Sequence, residues 1–220
     1  MPQPIPQITA DGTATLYLPE IDEHYHSVKG ALQEALHVYI ESALHASSAR
    51  PARILEIGFG TGLNAFLTAL DAGRTRTPVI YTALERHPLP WATVAPLHYP
   101  ERIDPQQAHL FRQLHDAPWE QAVPLTPRFT LHKQETDLTR HHFTRTFDIV
   151  YFDAFAPDKQ PEMWDESIFR RIAAVLTPGG ILTTYCAKGE VRRRLQRAGF
   201  TVERLPGPPG GKREILRARI

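Results

Sequence analysis

A short apolar segment that ends in a glycine-rich turn limits the folds that this chain can adopt. Residues 53–57 read Arg-Ile-Leu-Glu-Ile, and glycines follow at positions 58, 60 and 62, before an apolar run that starts at Leu63. Glycine adopts backbone angles that side chains disfavour, and it lets a ligand approach the main chain closely. Because the turn joins a predicted strand to a predicted helix, it predicts a nucleotide-type cofactor site.

The residues in and after the turn narrow the choice of cofactor. A triphosphate-binding loop needs Gly-Lys followed by Ser or Thr, but Gly62 is followed by Leu63 and Asn64. A dinucleotide turn needs a glycine where Leu63 stands. The spacing E-x-G-x-G-x-G instead suits S-adenosylmethionine, whose ammonium would meet Glu56 and whose carboxylate would face the turn amides. The cofactor-binding residues predicted in this segment are Glu56, Gly58, Phe59, Gly60, Thr61, Gly62 and Asn64.

Acidic residues at later strand ends extend this prediction. Residues 78–85 form a buried-type strand that ends in Glu85, an acid placed to grip ribose hydroxyls. After the next predicted strand, Asp137 is favoured to meet the adenine amino group, and Glu135 takes that role if the strand ends two residues earlier. The alternative to a cofactor site is a tight strand-to-helix connection without a ligand.

A further signal follows the strand predicted over 147–152, where the chain reads Asp153-Ala-Phe155-Ala-Pro157. This order of residues resembles the Asp/Asn-Pro-Pro-aromatic loop of methyltransferases that act on amine nitrogen. Such a nitrogen must be neutral with its lone pair aimed at the methyl group, and a carboxylate can both orient it and take its proton. Asp153 is therefore the predicted catalytic residue, placed next to the cofactor. The alternative is that Asp153 only caps the following segment.

Length and composition are consistent with one domain. The chain has 220 residues, of which 42% are hydrophobic, enough for a substantial core. A lone cysteine, Cys186, excludes an internal disulfide, and neither a signal peptide nor a membrane-length apolar run is evident, so we expect a cytoplasmic protein. We expect one domain over 1–220: a hairpin and helix in 1–50, and a Rossmann-like core over 51–220 with an insertion at about 87–127. That insertion either shapes a substrate pocket or is only structural.

Alternation of strands and helices predicts an α/β fold, a doubly wound, seven-stranded and mostly parallel sheet. The predicted strands are 54–57, 80–84, 129–132, 147–152, 181–185, 201–205 and 214–219. The last two are so close in the chain that they must pair as a hairpin, which gives one antiparallel strand. A β-hairpin over 8–18 and a helix over 30–44 precede this core. The arrangement resembles the class I methyltransferase fold.

Charge is unevenly distributed along the chain. Residues 188–220 hold ten Lys or Arg and three acids, whereas the remainder has 15 basic and 21 acidic residues. Such a basic segment could attract a polyanion such as RNA, or it could be a solvated helix face.

Several motifs together identify a family. These are Glu56-Ile-Gly-Phe-Gly-Thr-Gly-Leu-Asn64, Asp153-Ala-Phe-Ala-Pro157 with Pro161-Glu-Met-Trp164, Pro178-Gly-Gly180, and Gly211-Lys-Arg-Glu-Ile-Leu216. Across most of its length the chain resembles the methyltransferase domain of the tRNA wobble-uridine modification protein MnmC. The resemblance implies S-adenosylmethionine-dependent methylation of the aminomethyl nitrogen of 5-aminomethyl-2-thiouridine in tRNA, giving 5-methylaminomethyl-2-thiouridine.

In the best-known members this domain is fused to a flavin-dependent oxidoreductase that makes the amine. The present chain resembles a stand-alone version, so either a separate oxidoreductase supplies the amine or the substrate differs. The predicted substrate-binding residues are His26, Phe155, Pro157, Lys212 and Arg213. His26 is expected to fold over the cofactor or contact the target base, with a surface histidine as the alternative, and no metal site is expected. Two alternative functions are a methyltransferase for a small-molecule amine and an inactive fold kept as a binding module.

Overall fold

The computed structural model describes residues 4–220, so the first three residues of the predicted segment 1–50 lie outside the described part. Its strands are β1 (Ile5–Ile8), β2 (Ala14–Leu18), β3 (Glu23–His24), β4 (Ala52–Ile57), β5 (Val79–Glu85), β6 (Ala122–Thr126), β7 (Phe129–Glu135), β8 (Phe147–Phe152), β9 (Leu176–Thr184), β10 (Thr201–Pro206) and β11 (Glu214–Arg219). Its α-helices are α1 (Ala31–Ala35), α2 (Leu63–Thr75), α3 (Trp91–Val94), α4 (Tyr99–Ile103), α5 (Ala108–Asp116), α6 (Glu166–Ala173) and α7 (Gly189–Arg197). Among these residues no helix is both long and apolar enough to cross a membrane.

An eight-stranded sheet forms the centre, in the order β10-β11-β9-β8-β4-β5-β7-β6. Strands β9, β8, β4, β5 and β7 pair in parallel, and β11 runs antiparallel to both β9 and β10. The predicted class I methyltransferase fold, with its reversed last strand, is confirmed. Successive residues of β4 face opposite sides of the sheet, because side chains alternate along a strand, and both sides are buried.

The eighth strand, β6, was not predicted. It pairs antiparallel with β7 at the edge of the sheet and lies inside the insertion at 87–127. Pro124 made a strand improbable in the sequence, but an edge strand tolerates proline, since one side of its backbone pairs with nothing. The rest of the insertion forms three short helices, α3, α4 and α5, with short 3₁₀ turns between them.

The N-terminal segment covers one face of the sheet. β1 and β2 form the predicted hairpin, and β3 adds a short third strand to it. The predicted helix begins at Ala31 and continues beyond Ala35 as a π-helical segment, Leu36–Leu44. Apolar spacing does not distinguish an α-helix from a π-helix, and the wider π turn decides which side chains of this segment point into the core.

The order of the strands determines where a ligand can bind. From β4 the chain moves to β5 and β7 on one side, and later to β8 and β9 on the other. The carboxyl ends of β4 and β8 are therefore the point where the winding direction reverses, and open α/β sheets bind ligands in the crevice at that point. Ile57 and Phe152 are register partners there, so the glycine turn and Asp153 emerge side by side.

Candidate active site

The glycine turn is enclosed by main-chain and side-chain groups from distant parts of the chain. Gly58 has φ 89°, and a Cβ at this position would lie 3.0 Å from the carbonyl oxygen of Asp153. Gly60 has φ 50°, and a Cβ there would lie 3.0 Å from the ring of Tyr25. Both positions thus combine a left-handed backbone with a close neighbour, which a larger residue could not accept.

A cavity of about 540 Å³ lies against this turn at the carboxyl edge of the sheet. This volume is within the range of small-molecule and cofactor sites. Of the residues predicted to bind the cofactor, the cavity wall contains Gly58, Phe59, Gly60, Thr61, Asn64, Glu85, Asp137 and Asp153. The insertion contributes His87, Leu89, Pro90 and Thr93 to the same wall.

Glu85 joins the turn to the next strand end. Its Oε2 accepts a hydrogen bond of 3.0 Å from the amide of Gly60, and its Oε1 accepts one of 2.8 Å from the amide of His87. The carboxylate is thereby held in the cavity wall, with lone pairs remaining for the hydroxyls of a ribose.

Asp137, rather than Glu135, lies in the cavity wall. Glu135 is the last residue of β7 and is exposed, whereas Asp137 follows it and reaches the cavity. The Oδ1 atom of Asp137 accepts bonds from the amide and hydroxyl of Thr139 at 2.9 and 2.7 Å, and its Oδ2 pairs with Arg86 at 3.4 Å. Partial burial opposes ionisation of Asp137, but these contacts outweigh it and lower the pKa of the carboxyl.

Glu56 and Gly62 lie behind the cavity wall. Glu56 is fully buried, and neither of its carboxyl oxygens has a hydrogen-bond partner in the described chain. Burial, together with the nearby charge of Asp153, raises the pKa of Glu56 well above its ordinary value. A buried carboxylate without partners fits a ligand that brings an ammonium group, either directly or through water. Gly62 is the N-cap residue that precedes α2, and it faces the ring of His115.

Asp153 lies half-buried where the cavity meets a second cleft. Its Oδ1 accepts a hydrogen bond of 2.6 Å from the hydroxyl of Tyr39, and its Oδ2 accepts one of 2.8 Å from Nδ2 of Asn64. Burial raises the pKa of Asp153 to about 6, although the bonds from Tyr39 and Asn64 act in the opposite direction. The carboxyl is therefore fixed in position, largely ionised at neutral pH, and close to the pKa that suits proton transfer.

The second cleft has a volume of about 560 Å³ and opens beside Asp153. We call it the substrate cleft. All five residues predicted to bind the substrate line it, namely His26, Phe155, Pro157, Lys212 and Arg213. Tyr25, His26, Asp153, Ala154 and Phe155 line both this cleft and the cofactor cavity. A group in one cavity can therefore reach a group in the other next to Asp153.

His26 supports the turn as well as lining the cleft. Its Nε2 lies 2.8 Å from the hydroxyl oxygen of Thr61, and its amide donates to the hydroxyl of Thr15 at 2.9 Å. Burial lowers the pKa of His26 to about 4, so the ring is neutral at physiological pH. The residue before it, Tyr25, lies edge-on to Phe155 with their ring centroids 5.1 Å apart. The segment 25–26 thus forms the partition between the two cavities.

Tyr39, Glu34 and Tyr185 were not identified from the sequence. Glu34 and Tyr39 are five residues apart on the N-terminal helical segment, a spacing that the π-helical turn brings toward Asp153. Nothing in the local sequence distinguished Glu34 from a surface acid, or Tyr39 and Tyr185 from core aromatics. Among residues 4–220 no group of three or more His, Cys, Asp or Glu is arranged to hold a metal ion.

Most arginines of the basic C-terminal segment are paired with acids. Ion pairs join Arg193 and Arg194 to Glu190, Arg197 to Glu166, Arg204 to Glu214, and Arg217 and Arg219 to Glu203. These six arginines share four acids, of which only Glu166 lies outside 188–220, so each guanidinium has a local partner but the excess of positive charge in the segment remains. The substrate cleft is lined by three further basic residues of this segment, Lys188, Lys212 and Arg213. Lys188 pairs with Asp158, and Lys212 pairs with Glu34.

The reversed strand, the glycine turn at the switch point and the acids at successive strand ends define a class I methyltransferase. Comparison with known proteins agrees with this class. A family model described as S-adenosyl-L-methionine-dependent methyltransferase matches residues 126–220. The tRNA 5-methylaminomethyl-2-thiouridine biosynthesis bifunctional protein MnmC of Cupriavidus metallidurans is 34% identical to this chain, over 98% of the chain and 34% of that protein. The protein of the same name from Magnetococcus marinus is 32% identical, over 98% of the chain and 35% of that protein.

By its fold and motifs the chain is an S-adenosyl-L-methionine-dependent methyltransferase, and over nearly its whole length its sequence is similar to the methyltransferase part of MnmC, as its motifs predicted. It spans about a third of the length of the curated relatives it matches. The solved structure of MNMC2 from Aquifex aeolicus has a TM-score of 0.74 and 24% identity, covering 99% of this chain and 70% of that one. Spermidine synthase from Thermotoga maritima has a TM-score of 0.56 and 14% identity, covering 94% of this chain and 68% of that one. Both structures agree with the fold.

Proposed function

We propose that this protein transfers a methyl group from S-adenosylmethionine to the aminomethyl nitrogen of 5-aminomethyl-2-thiouridine at the tRNA wobble position, giving 5-methylaminomethyl-2-thiouridine. The observation that carries the proposal is the position of Asp153, whose carboxylate lies where the cofactor cavity and the substrate cleft meet. The names of the MnmC relatives support the choice of substrate.

Each part of the cofactor has a suitable partner among the residues present. Glu56 would compensate the ammonium, the turn amides would face the carboxylate, Glu85 would bind the ribose hydroxyls and Asp137 the adenine amino group. The bound cofactor supplies an electrophilic methyl group on a sulfonium. The fit rests on the unpartnered, buried carboxyl of Glu56 and on the close approach to the main chain that Gly58 and Gly60 allow.

Asp153 prepares the amine for attack. An alkylammonium has no lone pair, so it must first lose a proton, and the Asp153 carboxylate lies at the junction to receive it. Tyr39 and Asn64 hold both carboxylate oxygens, which restricts the direction from which an N–H group can be accepted. The cofactor would supply the methyl group as the electrophile and would keep the electron pair of the sulfur–methyl bond, and Asp153 would release its proton to water.

The substrate cleft is suited to a nucleotide. Phe155 and Pro157 give it an apolar wall against which a base can pack, and Arg213 at its rim can meet a phosphate. In this proposal tRNA is the partner, a separate flavin-dependent oxidoreductase supplies the primary amine, and the protein acts in the cytoplasm.

A second candidate substrate is a small-molecule amine. The pairing of most C-terminal arginines with acids favours it, because a guanidinium that already pairs with a carboxylate is less available to a phosphate. Such an enzyme would use the same cofactor cavity and Asp153, but its activity would be insensitive to salt and it would not bind tRNA.

The proposal is tested with tRNA from cells that lack this protein, incubated with the protein and methyl-labelled S-adenosylmethionine, followed by nucleoside mass analysis. We expect 5-methylaminomethyl-2-thiouridine to appear as the primary amine disappears. If the protein binds the cofactor but transfers no methyl group to this tRNA, a small-molecule amine would become the favoured substrate. If the protein does not bind the cofactor at all, the result would favour the other alternative, an inactive methyltransferase fold that serves as a binding module.

A further inference from the structure

Glu34 is a buried carboxylate in the wall of the substrate cleft, and the reaction described above does not use it. The residue is 7% exposed, and its Oε1 accepts a hydrogen bond of 3.1 Å from the amide of Ser27. Its Oε2 accepts no hydrogen bond but faces the Nζ atom of Lys212 at 3.4 Å. Burying a carboxylate without a positive partner costs free energy. A cation next to Oε2 therefore stabilises this part of the cleft.

The same cation lies on an aromatic ring. The Nζ atom of Lys212 is 3.6 Å from the ring centroid of Tyr185, a distance typical of a cation–π contact. The ring is held in place because the hydroxyl of Tyr185 donates a hydrogen bond of 2.8 Å to the carbonyl oxygen of Ala154, the residue after Asp153. Glu34 and Tyr185 therefore form a site for one primary ammonium, in the same cleft as the predicted catalytic carboxylate.

We propose that this site recognises the primary ammonium of the substrate, and that Lys212 occupies it until the substrate enters. The proposal rests on the function proposed above, since it names the residues that select the amine of that reaction. The Nζ of Lys212 and the substrate amine have the same chemistry, a primary ammonium on a methylene group, so they satisfy Glu34 and Tyr185 in the same way.

Exchange of the two ammonium groups requires little rearrangement. Lys212 has a flexible four-carbon stem, and its side chain is 42% exposed, so rotation about its side-chain bonds moves Nζ into solvent. Its neighbour Arg213 lines the same rim, so a displaced Lys212 would be next to any phosphate that Arg213 meets. Entry of the amine would thus release a second positive charge toward the nucleic acid.

A first experiment needs no RNA. Protein carrying ¹³C at the lysine ε-carbons is titrated with ethylammonium chloride, with sodium chloride plus ethanol as the control. The Lys212 resonance, assigned with Lys212→Arg, should be shifted by the ring of Tyr185, and ethylammonium alone should return it to the position of an exposed lysine. Glu34→Gln and Tyr185→Leu should abolish the initial shift. A Lys212 resonance that lies at the exposed position from the start, or that ethylammonium does not move, overturns the proposal.

A second experiment uses anticodon stem-loops carrying 5-aminomethyl-2-thiouridine or the uncharged 5-hydroxymethyl-2-thiouridine, with affinity measured by fluorescence anisotropy. Glu34→Gln should weaken binding of the amine loop by about tenfold and leave the hydroxymethyl loop unchanged. The matched control is Glu41→Gln, on the same helical segment with a side chain that is 61% exposed. Lys212→Met should strengthen binding of the amine loop relative to the other loop.

The outcomes separate the two proposals. Equal weakening of both loops by Lys212→Met, or by Glu34→Gln, would overturn the ammonium site and leave Lys212 as a backbone contact. If ethylammonium displaces Lys212 but neither loop binds to the unmodified protein, the ammonium site holds and tRNA is the wrong substrate.

Discussion

The hydroxyl of Tyr39 donates a 2.6 Å hydrogen bond to the Oδ1 atom of Asp153, joining residues 114 positions apart in the chain. Tyr39 is only 1% exposed, so it touches neither the cofactor cavity nor the substrate cleft. It therefore acts on the proposed chemistry through Asp153, as a positioning residue. Burial, with the charge of Asp153 beside it, raises the pKa of Tyr39 well above its ordinary value, so this donor keeps its proton.

Tyr39→Phe tests this relationship. Removal of the hydroxyl should lower kcat by about tenfold with little change in KM for the cofactor, because one hydrogen bond to a charged group is lost. In a plot of kcat/KM against pH, the rise at low pH should move to higher pH, since that hydrogen bond lowers the pKa of Asp153. Tyr17→Phe is the control, because it removes a hydroxyl that bonds to Asp22 on the surface. If the dependence of kcat/KM on pH does not shift in this variant, Tyr39 contributes only packing.

Asp153→Asn keeps the shape of the side chain but removes the proton acceptor. Methyl transfer should fall by about 10²-fold or more, whereas affinity for S-adenosylmethionine, measured by calorimetry, should change much less. Asp158→Asn, in the same loop but paired with Lys188 on the surface, should retain activity. Equal losses of transfer and of cofactor affinity would contradict the catalytic role of Asp153.

The pKa of Asp153 predicts a dependence of activity on pH. The carboxylate must be ionised to take a proton, and burial raises its pKa to about 6. In a plot against pH, kcat/KM should therefore rise about tenfold per unit below that value and level off above it. His26 adds no further acid limb near neutrality, because burial lowers its pKa to about 4. A profile already flat at pH 5 would show that a group with an ordinary carboxyl pKa controls the reaction.

Lys133 predicts a dependence of stability on pH. It is 1% exposed, with Nζ 2.8 Å from the carbonyl oxygen of His115 and 4.8 Å from the ring centroid of Trp119. Burial lowers its pKa to about 8, so above that pH the unfolded chain binds more protons than the folded one. The free energy of unfolding should gain a positive contribution as pH rises from about 8 toward the ordinary lysine value near 10.4.

Denaturant unfolding across this pH range is the measurement for Lys133. Lys133→Met should remove the rise, and Lys29→Met, which changes an exposed lysine, should preserve it. Identical pH slopes in the two variants would show that Lys133 retains an ordinary pKa in the folded protein.

Arg213 is expected to contact the nucleic acid backbone. Arg213→Ala should weaken tRNA binding and reduce the slope of log Kd against log salt by about one phosphate contact. Arg193→Ala is the matched control, because Arg193 already pairs with Glu190 at 2.9 Å. Binding that loses affinity without a change in salt slope would place Arg213 outside the backbone contacts.

The order of the parallel strands and their helices, the glycine turn, and the acids at or just after the ends of β4, β5, β7 and β8 could be read from the sequence alone. These features were readable because they depend on local rules: apolar runs make strands, glycines permit left-handed turns, and parallel strands end at one edge. The division into one domain over 1–220, and the roles of Glu56, Asp137 and Asp153, stay predictions.

The side chains that surround Asp153 could be identified only in the folded chain. Tyr39, Glu34 and Tyr185 come from the first helical segment and from the residue after β9, and no local spacing relates them to a residue at the end of β8. The pKa of Asp153, the isolation of Glu56 and the pairing of the C-terminal arginines are also properties of the folded chain. They depend on burial and on distances between residues far apart in sequence, which composition and periodicity do not encode.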